Sequence, residues 1–167
     1  PVAIAFSLSD LADALRPSTS ATVATVVGFT EARDSQLYNS AAVMLGGEGL
    51  GVSRKPHPAR RVSVYAAGDE SPLFVLGDLR LGILICNDTN FPELADDMAA
   101  RGARLLLVPS NNGLRSEIAD VVDQTRQVDV EMALRCGLPV VRADVAGRTD
   151  TRVALGTSAI VGADGMV

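Results

Sequence analysis

Residues 79–112, LRLGILICNDTNFPELADDMAARGARLLLVPSNN, are the stretch from which the fold can be worked out. Leu79 to Ile85 is almost wholly apolar, as expected of a strand covered on both faces of a sheet. Leu105 to Val108 has the same character, and we expect Pro109 to end it. A helical pattern lies between the two, so the stretch predicts a βαβ unit with two parallel neighbouring strands and a right-handed crossover.

The helix of this unit carries start and stop signals. Asn90 and Glu93 have the spacing of a capping box, with Pro92 in the first turn. Ala95, Met98 and Ala99 form a small apolar stripe that predicts packing against the sheet. Gly102 is placed to end the helix in a left-handed conformation.

Cys86 lies at the turn that follows the first strand. In α/β units the carboxyl ends of the strands hold the chemistry, and the N-terminus of a following helix favours the thiolate over the thiol. A cysteine after an apolar run can equally be a small core residue. Position alone leaves nucleophile and core filler equally open.

Four groups of motifs resemble the carbon–nitrogen hydrolase (nitrilase/amidase) superfamily, in that family's order. The strongest is the apolar strand ending in Ile85-Cys86-Asn87-Asp88, followed by a Phe-Pro-Glu sequence and then by Gly-Ala ahead of the next strand. The others are a strand pair, a lysine motif and a C-terminal strand-turn: Val27 to Glu31 with Tyr38 to Ala41, Arg54-Lys55-Pro56-His57, and Gly156 to Val161 with Asp164-Gly165.

The resemblance implies an α/β fold, the αββα sandwich in which a mixed sheet is flanked by helices, and subunits that pair as dimers or larger homo-oligomers. We expect residues 1–167 to be one partial domain of this type. The family's general-base glutamate has no counterpart near Pro1-Val2, and Glu70 does not clearly match a second glutamate of the family. At the other end, Val167 comes just after the turn that leads into the family's last strands. We therefore expect a fragment that is incomplete at both ends.

The resemblance also assigns the candidate site. Cys86 is the expected nucleophile and Lys55 the fixed cation that stabilises a developing oxyanion, together with the backbone N–H of Asn87. Without the resemblance, Lys55 reads as a surface lysine in a basic loop. Asn111 and Asn112, just beyond a strand end, either hold a substrate amide or serve only as turn formers.

Composition excludes several classes of function. The 167 residues are 47% apolar and carry a net charge of −5, which argues against a nucleic-acid partner. There is no apolar run long enough for a membrane span and no signal-peptide pattern at the N-terminus. Two cysteines and one histidine give neither a disulfide framework nor a histidine metal site. We expect a cytoplasmic protein with no cofactor and no metal ion.

The rest of the chain predicts further elements. Val23 to Phe29 and Tyr38 to Leu45 form a hairpin around Asp34-Ser35, and Ser116 to Arg135 forms a long helix that the motif order associates with dimerisation. His57 is expected to pack as a ring against its loop, Cys136 to be inert, and Arg142 and Asp144 either to line the site or to form a strand-end salt bridge. The remaining expectations are a glycine-rich turn at Gly46 to Gly51, a short strand at Val62 to Ala66 and a loop at Asp144 to Ala154.

The resulting interpretation is hydrolysis of a small amide through a cysteine thioester, with a small-molecule amide as partner. Two alternatives remain open. One is a catalytically inactive subunit of the same fold that serves binding or assembly. The other is acyl transfer, in which an amine takes the acyl group from the same cysteine.

Overall fold

The computed structural model describes residues 4–58, 64–112, 121–148 and 153–167 of the chain. Its three α-helices are α1 (Leu8–Leu15), α2 (Pro92–Ala100) and α3 (Val121–Cys136). Its ten strands are β1 (Thr25–Arg33), β2 (Gln36–Leu45), β3 (Glu48–Arg54), β4 (Leu73–Leu76), β5 (Leu79–Ile83), β6 (Leu105–Ser110), β7 (Val140–Asp144), β8 (Ala146–Arg148), β9 (Val153–Leu155) and β10 (Ala159–Val161). Short 3₁₀-helices lie at Arg16–Ser18 and Cys86–Asn90.

The first sheet is an antiparallel meander of β1, β2 and β3. Two-residue turns with positive φ at both positions connect its strands: Asp34 and Ser35 in the first turn, Gly46 and Gly47 in the second. Such turns match the right-handed twist of the flanking strands. The predicted hairpin around Asp34-Ser35 is confirmed.

The second sheet has the order β10-β7-β6-β5-β4. Its three central strands β5, β6 and β7 are parallel neighbours, and antiparallel strands border them on both sides. The predicted βαβ unit of β5, α2 and β6 is confirmed. Because the three parallel strands end at the same edge, the residues that follow them meet there.

Successive side chains of a strand point to opposite faces of its sheet, so each face packs against a different layer. Ala41 and Val43 of β2 pack against residues of the second sheet such as Phe74, Leu81 and Ile83, so the two sheets face each other. The intervening residues Ala42 and Met44 point to the other face and pack against Leu11 and Ala12 of α1. On the far side of the second sheet, α2 and α3 cover β6 and β7 with a core that includes Ala95, Met98, Leu106, Val108, Met132, Ala133 and Val140. This arrangement is the predicted αββα sandwich.

Pro109 does not end β6, contrary to the prediction, because the strand continues to Ser110. The N–H of Leu106 points toward β7, where it donates to Pro139 O over 3.0 Å. Alternate N–H groups point to opposite neighbours, so the nitrogen of Pro109 faces the β5 side. β5 has already ended at Ile83 beside Leu107, so no ladder hydrogen bond is lost there.

The predicted capping box at Asn90 is also wrong. Asn90 belongs to the 3₁₀-helix at Cys86–Asn90, where its Nδ2 donates to Asn87 Oδ1 over 3.1 Å. Phe91 is the N-cap of α2, without a side-chain cap, and Pro92 follows at the start of the helix. Gly102 ends this helix with φ +88°, as predicted.

Three further elements differ from the predictions. β5 ends at Ile83 rather than Ile85, and β3 already begins at Glu48 because Gly46 and Gly47 alone form the turn. β8 and β9 form a small hairpin within the predicted loop at 144–154.

Two other predictions fall on segments that are only partly described. Residues 62–63 and 116–120, part of a predicted strand and of the predicted helix, lie outside the described residues. Ala66 forms an isolated bridge to Tyr38 in place of a regular strand. α3 is described from Val121 onward.

Within the described residues, no helix has both the length and the apolar character that crossing a membrane requires.

Candidate active site

Cys86 begins the 3₁₀-helix just beyond β5, with its side chain half-buried. Its φ is +49°, a left-handed backbone conformation that costs conformational energy in any residue with a Cβ. The turn closes behind it, because Asp88 N donates to Ile85 O over 3.1 Å and Thr89 Oγ1 donates to Cys86 O over 3.0 Å. The backbone therefore holds the thiol at the carboxyl edge of the parallel strands.

Asp88 is the buried anion beneath this turn, with 1% of its surface exposed. One carboxylate oxygen accepts from Ile85 N over 3.0 Å, and the other accepts from His57 N over 3.3 Å. Burial raises the pKa of Asp88, and the nearby charge of Lys55 and the two N–H groups oppose that shift. Asp88 thus joins the cysteine turn to the loop after β3.

Lys55 is a buried cation, also 1% exposed, which rules out the surface-lysine interpretation. Its backbone is fixed from both sides, because Lys55 N donates to Asn39 O over 2.9 Å and Gly68 N donates to Lys55 O over 2.9 Å. Its Nζ donates to Ile85 O and lies 3.6 Å from Asp88 Oδ1. Burial lowers the pKa of Lys55, while Asp88 and Cys86 act in the opposite direction.

The loop after β6 brings Asn112 to the cysteine. Cys86 Sγ donates to Asn112 Oδ1 over 3.1 Å, and Asn112 Nδ2 donates to Thr157 Oγ1 over 3.4 Å. Asn111 is exposed at the same strand end, and Asn87 is half-buried beside Cys86. Of the two asparagines that the sequence left open, Asn112 is therefore the one whose side chain bonds to the thiol.

Asp144, at the end of β7, holds both Asn112 and Thr157. Its Oδ1 accepts from Asn112 N over 3.0 Å, and its Oδ2 accepts from Thr157 N over 3.0 Å and from Thr157 Oγ1 over 2.7 Å. Burial alone would raise the pKa of Asp144, but these hydrogen bonds and the charge of Arg142 hold the pKa below its ordinary value of 3.8. Asp144 is therefore a carboxylate at neutral pH.

Arg142 does not form the strand-end salt bridge with Asp144 that the sequence offered as one possibility. Its guanidinium makes two hydrogen bonds to Asp129 of α3, over 2.7 and 2.6 Å, and both side chains are buried. It also donates to Ser110 Oγ over 2.6 Å and to Thr89 Oγ1 over 3.4 Å. Arg142 thus connects Thr89 of the cysteine turn to Asp129 of α3 and to Ser110 of β6.

The ring of His57 packs as a structural element, but on Phe91 before α2 rather than on its own loop as predicted; the ring centroids are 3.7 Å apart and the planes are inclined by 15°. Glu70 is exposed. Among the residues that the structure describes, no group of three or more histidine, cysteine, aspartate or glutamate side chains is placed to hold a metal ion.

Sequence reasoning missed three residues of this site. Asp88 is part of the motif around Cys86 but had no assigned function, although its position two residues after Cys86 indicates a role beside the thiol. Thr157 lies in a quoted motif but had no assigned function. Asp129 has no local signal, because a charged residue on a helix is usually exposed.

An α/β sandwich with a cysteine at the edge of its parallel strands and a buried lysine beside it defines the class of protein that the sequence resembles. The chain belongs to the carbon–nitrogen hydrolase family, whose family model matches residues 7–167.

Individual relatives agree with this assignment. A probable nitrilase from Schizosaccharomyces pombe is 33% identical over 149 residues, which cover 85% of this chain and 52% of the relative. An (R)-stereoselective amidase from a Pseudomonas species is 36% identical over 93 residues, covering 54% of this chain and 33% of the relative.

Among solved structures, the glutamine-dependent NAD+ synthetase from Acinetobacter baumannii matches with a TM-score of 0.82 at 24% identity. The match covers 93% of this chain and 30% of that chain, and it shows the shared fold. The present chain spans about half or less of the length of each of these three proteins.

Proposed function

We propose that the protein hydrolyses a small amide through a covalent intermediate on Cys86. The observation that carries this proposal is the left-handed turn at Cys86, next to Ile85, whose backbone bonds to both members of a buried pair, Lys55 and Asp88. Burying a lysine and an aspartate is costly, so such a pair is a feature of functional sites more often than of ordinary cores.

In the proposed reaction, the sulfur of Cys86 attacks the carbonyl carbon of the amide and forms a tetrahedral intermediate. Lys55 and the backbone N–H of Asn87 stabilise the negative charge on the carbonyl oxygen. The carbon–nitrogen bond then breaks, ammonia or an amine leaves with the thiol proton, and a thioester remains. Water attacks the thioester, releasing the acid and restoring the thiol.

The proton transfers require a general base. In this proposal the base is the family's general-base glutamate, for which the sequence shows no counterpart. Asp88 does not fill that role, because its two oxygens already accept from Ile85 N and His57 N beneath the turn. Its part is to hold Lys55 and the turn in place. Lys55 needs no movement to act, since its Nζ is already fixed at Ile85 O, next to the nucleophile.

The relatives support an amide as substrate. One of them, 36% identical over 93 residues, is named as an (R)-stereoselective amidase. Asn111 and Asn112 are proposed to contact the substrate amide at the strand edge. The proposed assembly is a homo-oligomer that pairs through α3, and the protein is proposed to act in the cytoplasm.

Acyl transfer is the second candidate, because a thioester on Cys86 can react with an amine as well as with water. The test for both is incubation of the full natural protein with a panel of small amides that includes glutamine. Released ammonia and intact protein mass are the measurements. We expect ammonia release and a mass increase of one acyl group on the parent protein, and neither on Cys86→Ala.

Cys136→Ala is the matched control, since it makes the same change at the other cysteine, and it should retain both signals. An acid product indicates hydrolysis, whereas an amide product formed only with added amine indicates transfer. If Cys86→Ala and the parent behave alike across the panel, the proposal fails and the binding-subunit interpretation is favoured.

A further inference from the structure

A chain of hydrogen bonds links Cys86 to Asp144 through Asn112 and Thr157, and each donor and acceptor in this chain is determined by the next. Asp144 is a carboxylate, so it can only accept, and the single hydroxyl proton of Thr157 is committed to it over 2.7 Å. Thr157 Oγ1 can then only accept from Asn112. The amide of Asn112 satisfies this by turning its Nδ2 toward Thr157, which leaves its Oδ1 facing the thiol at 3.1 Å.

This direction is locked by the backbone as well. Asp144 also accepts from the N–H groups of Asn112 and Thr157, each over 3.0 Å, so neither residue can move away from the carboxylate without losing a second bond. Thr157 is buried. The four residues come from the ends of β5, β6 and β7 and from the segment before β10, so the parallel sheet edge brings them together.

We propose that Thr157 and Asp144 are positioning residues that hold Asn112 as a hydrogen-bond acceptor for Cys86, and so keep the nucleophile as a thiol until substrate and base are in place. The proposal deepens the proposed function and rests on it. A thiolate at Cys86 would face the oxygen of Asn112. Rotating the amide to donate to the sulfur would instead bring Asn112 Oδ1 against Thr157 Oγ1, whose proton is already given to Asp144.

Other charged groups also lie near Cys86, and their effect on the thiol must be distinguished from the effect of the Asn112 hydrogen bond. Lys55 lies beyond β3, Asp88 belongs to the cysteine turn itself, and Asp144 and Arg142 lie on β7. Removing the hydroxyl of Thr157 leaves the contacts of Lys55, Asp88 and Arg142 unchanged. Asp144 loses one hydrogen bond but still accepts from Asn112 N and Thr157 N, each over 3.0 Å. A change in thiol reactivity on that removal therefore reports on the orientation of Asn112.

The test measures the rate of Cys86 alkylation by limiting iodoacetamide across pH 6 to 10, by intact mass, on the full natural protein. Thr157→Val removes the hydroxyl while keeping the shape of the side chain. Asn112 is then free to turn its Nδ2 toward the sulfur, and a hydrogen bond of ordinary strength moves the half-maximal pH down by about 0.5 to 1 unit. Below that pH, alkylation becomes about three- to tenfold faster.

Two variants serve as controls. Thr157→Ser keeps the hydroxyl and should restore the parent profile. Ser158→Ala removes the neighbouring hydroxyl, which within the described part of the chain bonds to the main chain of Asp144 over 2.9 and 3.3 Å, and should leave the profile unchanged. Thr157→Ala provides a second removal of the hydroxyl in case the valine variant does not fold, and it should shift the profile in the same direction.

A Thr157→Val profile equal to that of the parent, or displaced to higher pH, overturns the proposal. So does an equal shift in Ser158→Ala, which would indicate loosened packing. Failure of the proposed function gives a different result: Cys86 of the parent would then be labelled no faster than Cys136.

Discussion

Replacing Asp88 with alanine should destabilise the protein more than removal of any exposed carboxylate. The substitution leaves the buried cation of Lys55 without its anion at 3.6 Å and leaves Ile85 N–H and His57 N–H without an acceptor. At an effective dielectric constant of about 20, charges at that distance attract by about 4–5 kcal/mol. Breaking a buried pair from one side typically costs about 3–5 kcal/mol.

The assay is urea unfolding at pH 7, with the Asp88→Ala variant compared with Asp13→Ala. Asp13 pairs with Arg16 at 2.7 Å, a shorter distance than in the buried pair, but the two side chains are 72% and 54% exposed. An exposed pair contributes about 0–1 kcal/mol because water and salt screen it. We therefore expect a loss of about 3–5 kcal/mol for Asp88→Ala and less than about 1 kcal/mol for Asp13→Ala.

Burial, rather than distance, decides this expected difference. If Asp88→Ala costs no more than Asp13→Ala, the reasoning is refuted, and Asp88 does not carry the turn. A double variant with Lys55→Met adds a further check. Removing both charges should cost less than the two single losses combined, because the buried cation is then no longer left alone.

Burial raises the pKa of Asp88 above 3.8, so the folded protein holds a proton that the unfolded chain releases first. The free energy of unfolding, relative to Asp88→Asn, should fall as the pH rises from about 3.8 through the folded-state pKa, and urea unfolding between about pH 3 and 7 measures this; a constant difference contradicts it. Gly82→Ala should lose about 1–3 kcal/mol of thermal stability, because its Cβ would lie 2.4 Å from a methionine sulfur, whereas Gly28→Ala, whose nearest atom would be 4.0 Å away, should lose less. Burial raises the pKa of Cys136, so it should react with iodoacetamide at neutral pH more slowly than Cys86, and peptide mapping of the label would reveal the reverse order.

Local patterns predicted the elements whose signals are local. The hairpin at Asp34-Ser35 follows from two β-rich runs around a turn, and Gly102 ends α2 as its position indicated. The predictions were wrong where the role of a residue depends on a neighbouring strand or helix. Pro109 remains in its strand because β5 has already turned away, and Asn90 is part of a preceding 3₁₀-helix that periodicity does not show.

For the candidate site, the sequence supplied the positions of Cys86 and Lys55 through an order of motifs. It did not supply the environment of Lys55, since a lysine beside several arginines is usually exposed, and this one is 1% exposed. It offered Arg142 a salt bridge at its own strand end, but the buried partner is Asp129 on the preceding helix. Burial depends on which layer covers a residue, and that is decided by packing between distant segments.

The sequence by itself therefore determined the βαβ unit and the turn that carries Cys86, because each depends on hydrophobic periodicity and turn chemistry within a short window. The layers of the sandwich were expected only from the resemblance of its motifs to a known family. Only the tertiary structure decided that Asp88 pairs with Lys55 and that Asp144 and Thr157 orient Asn112 toward the thiol. These contacts join residues from separate strands. The first contact requires the two sheets to face each other, because Lys55 follows β3 of one sheet and Asp88 follows β5 of the other. The second requires strand order and register to align the carboxyl ends of β5, β6 and β7 at one edge, and no local pattern encodes either arrangement.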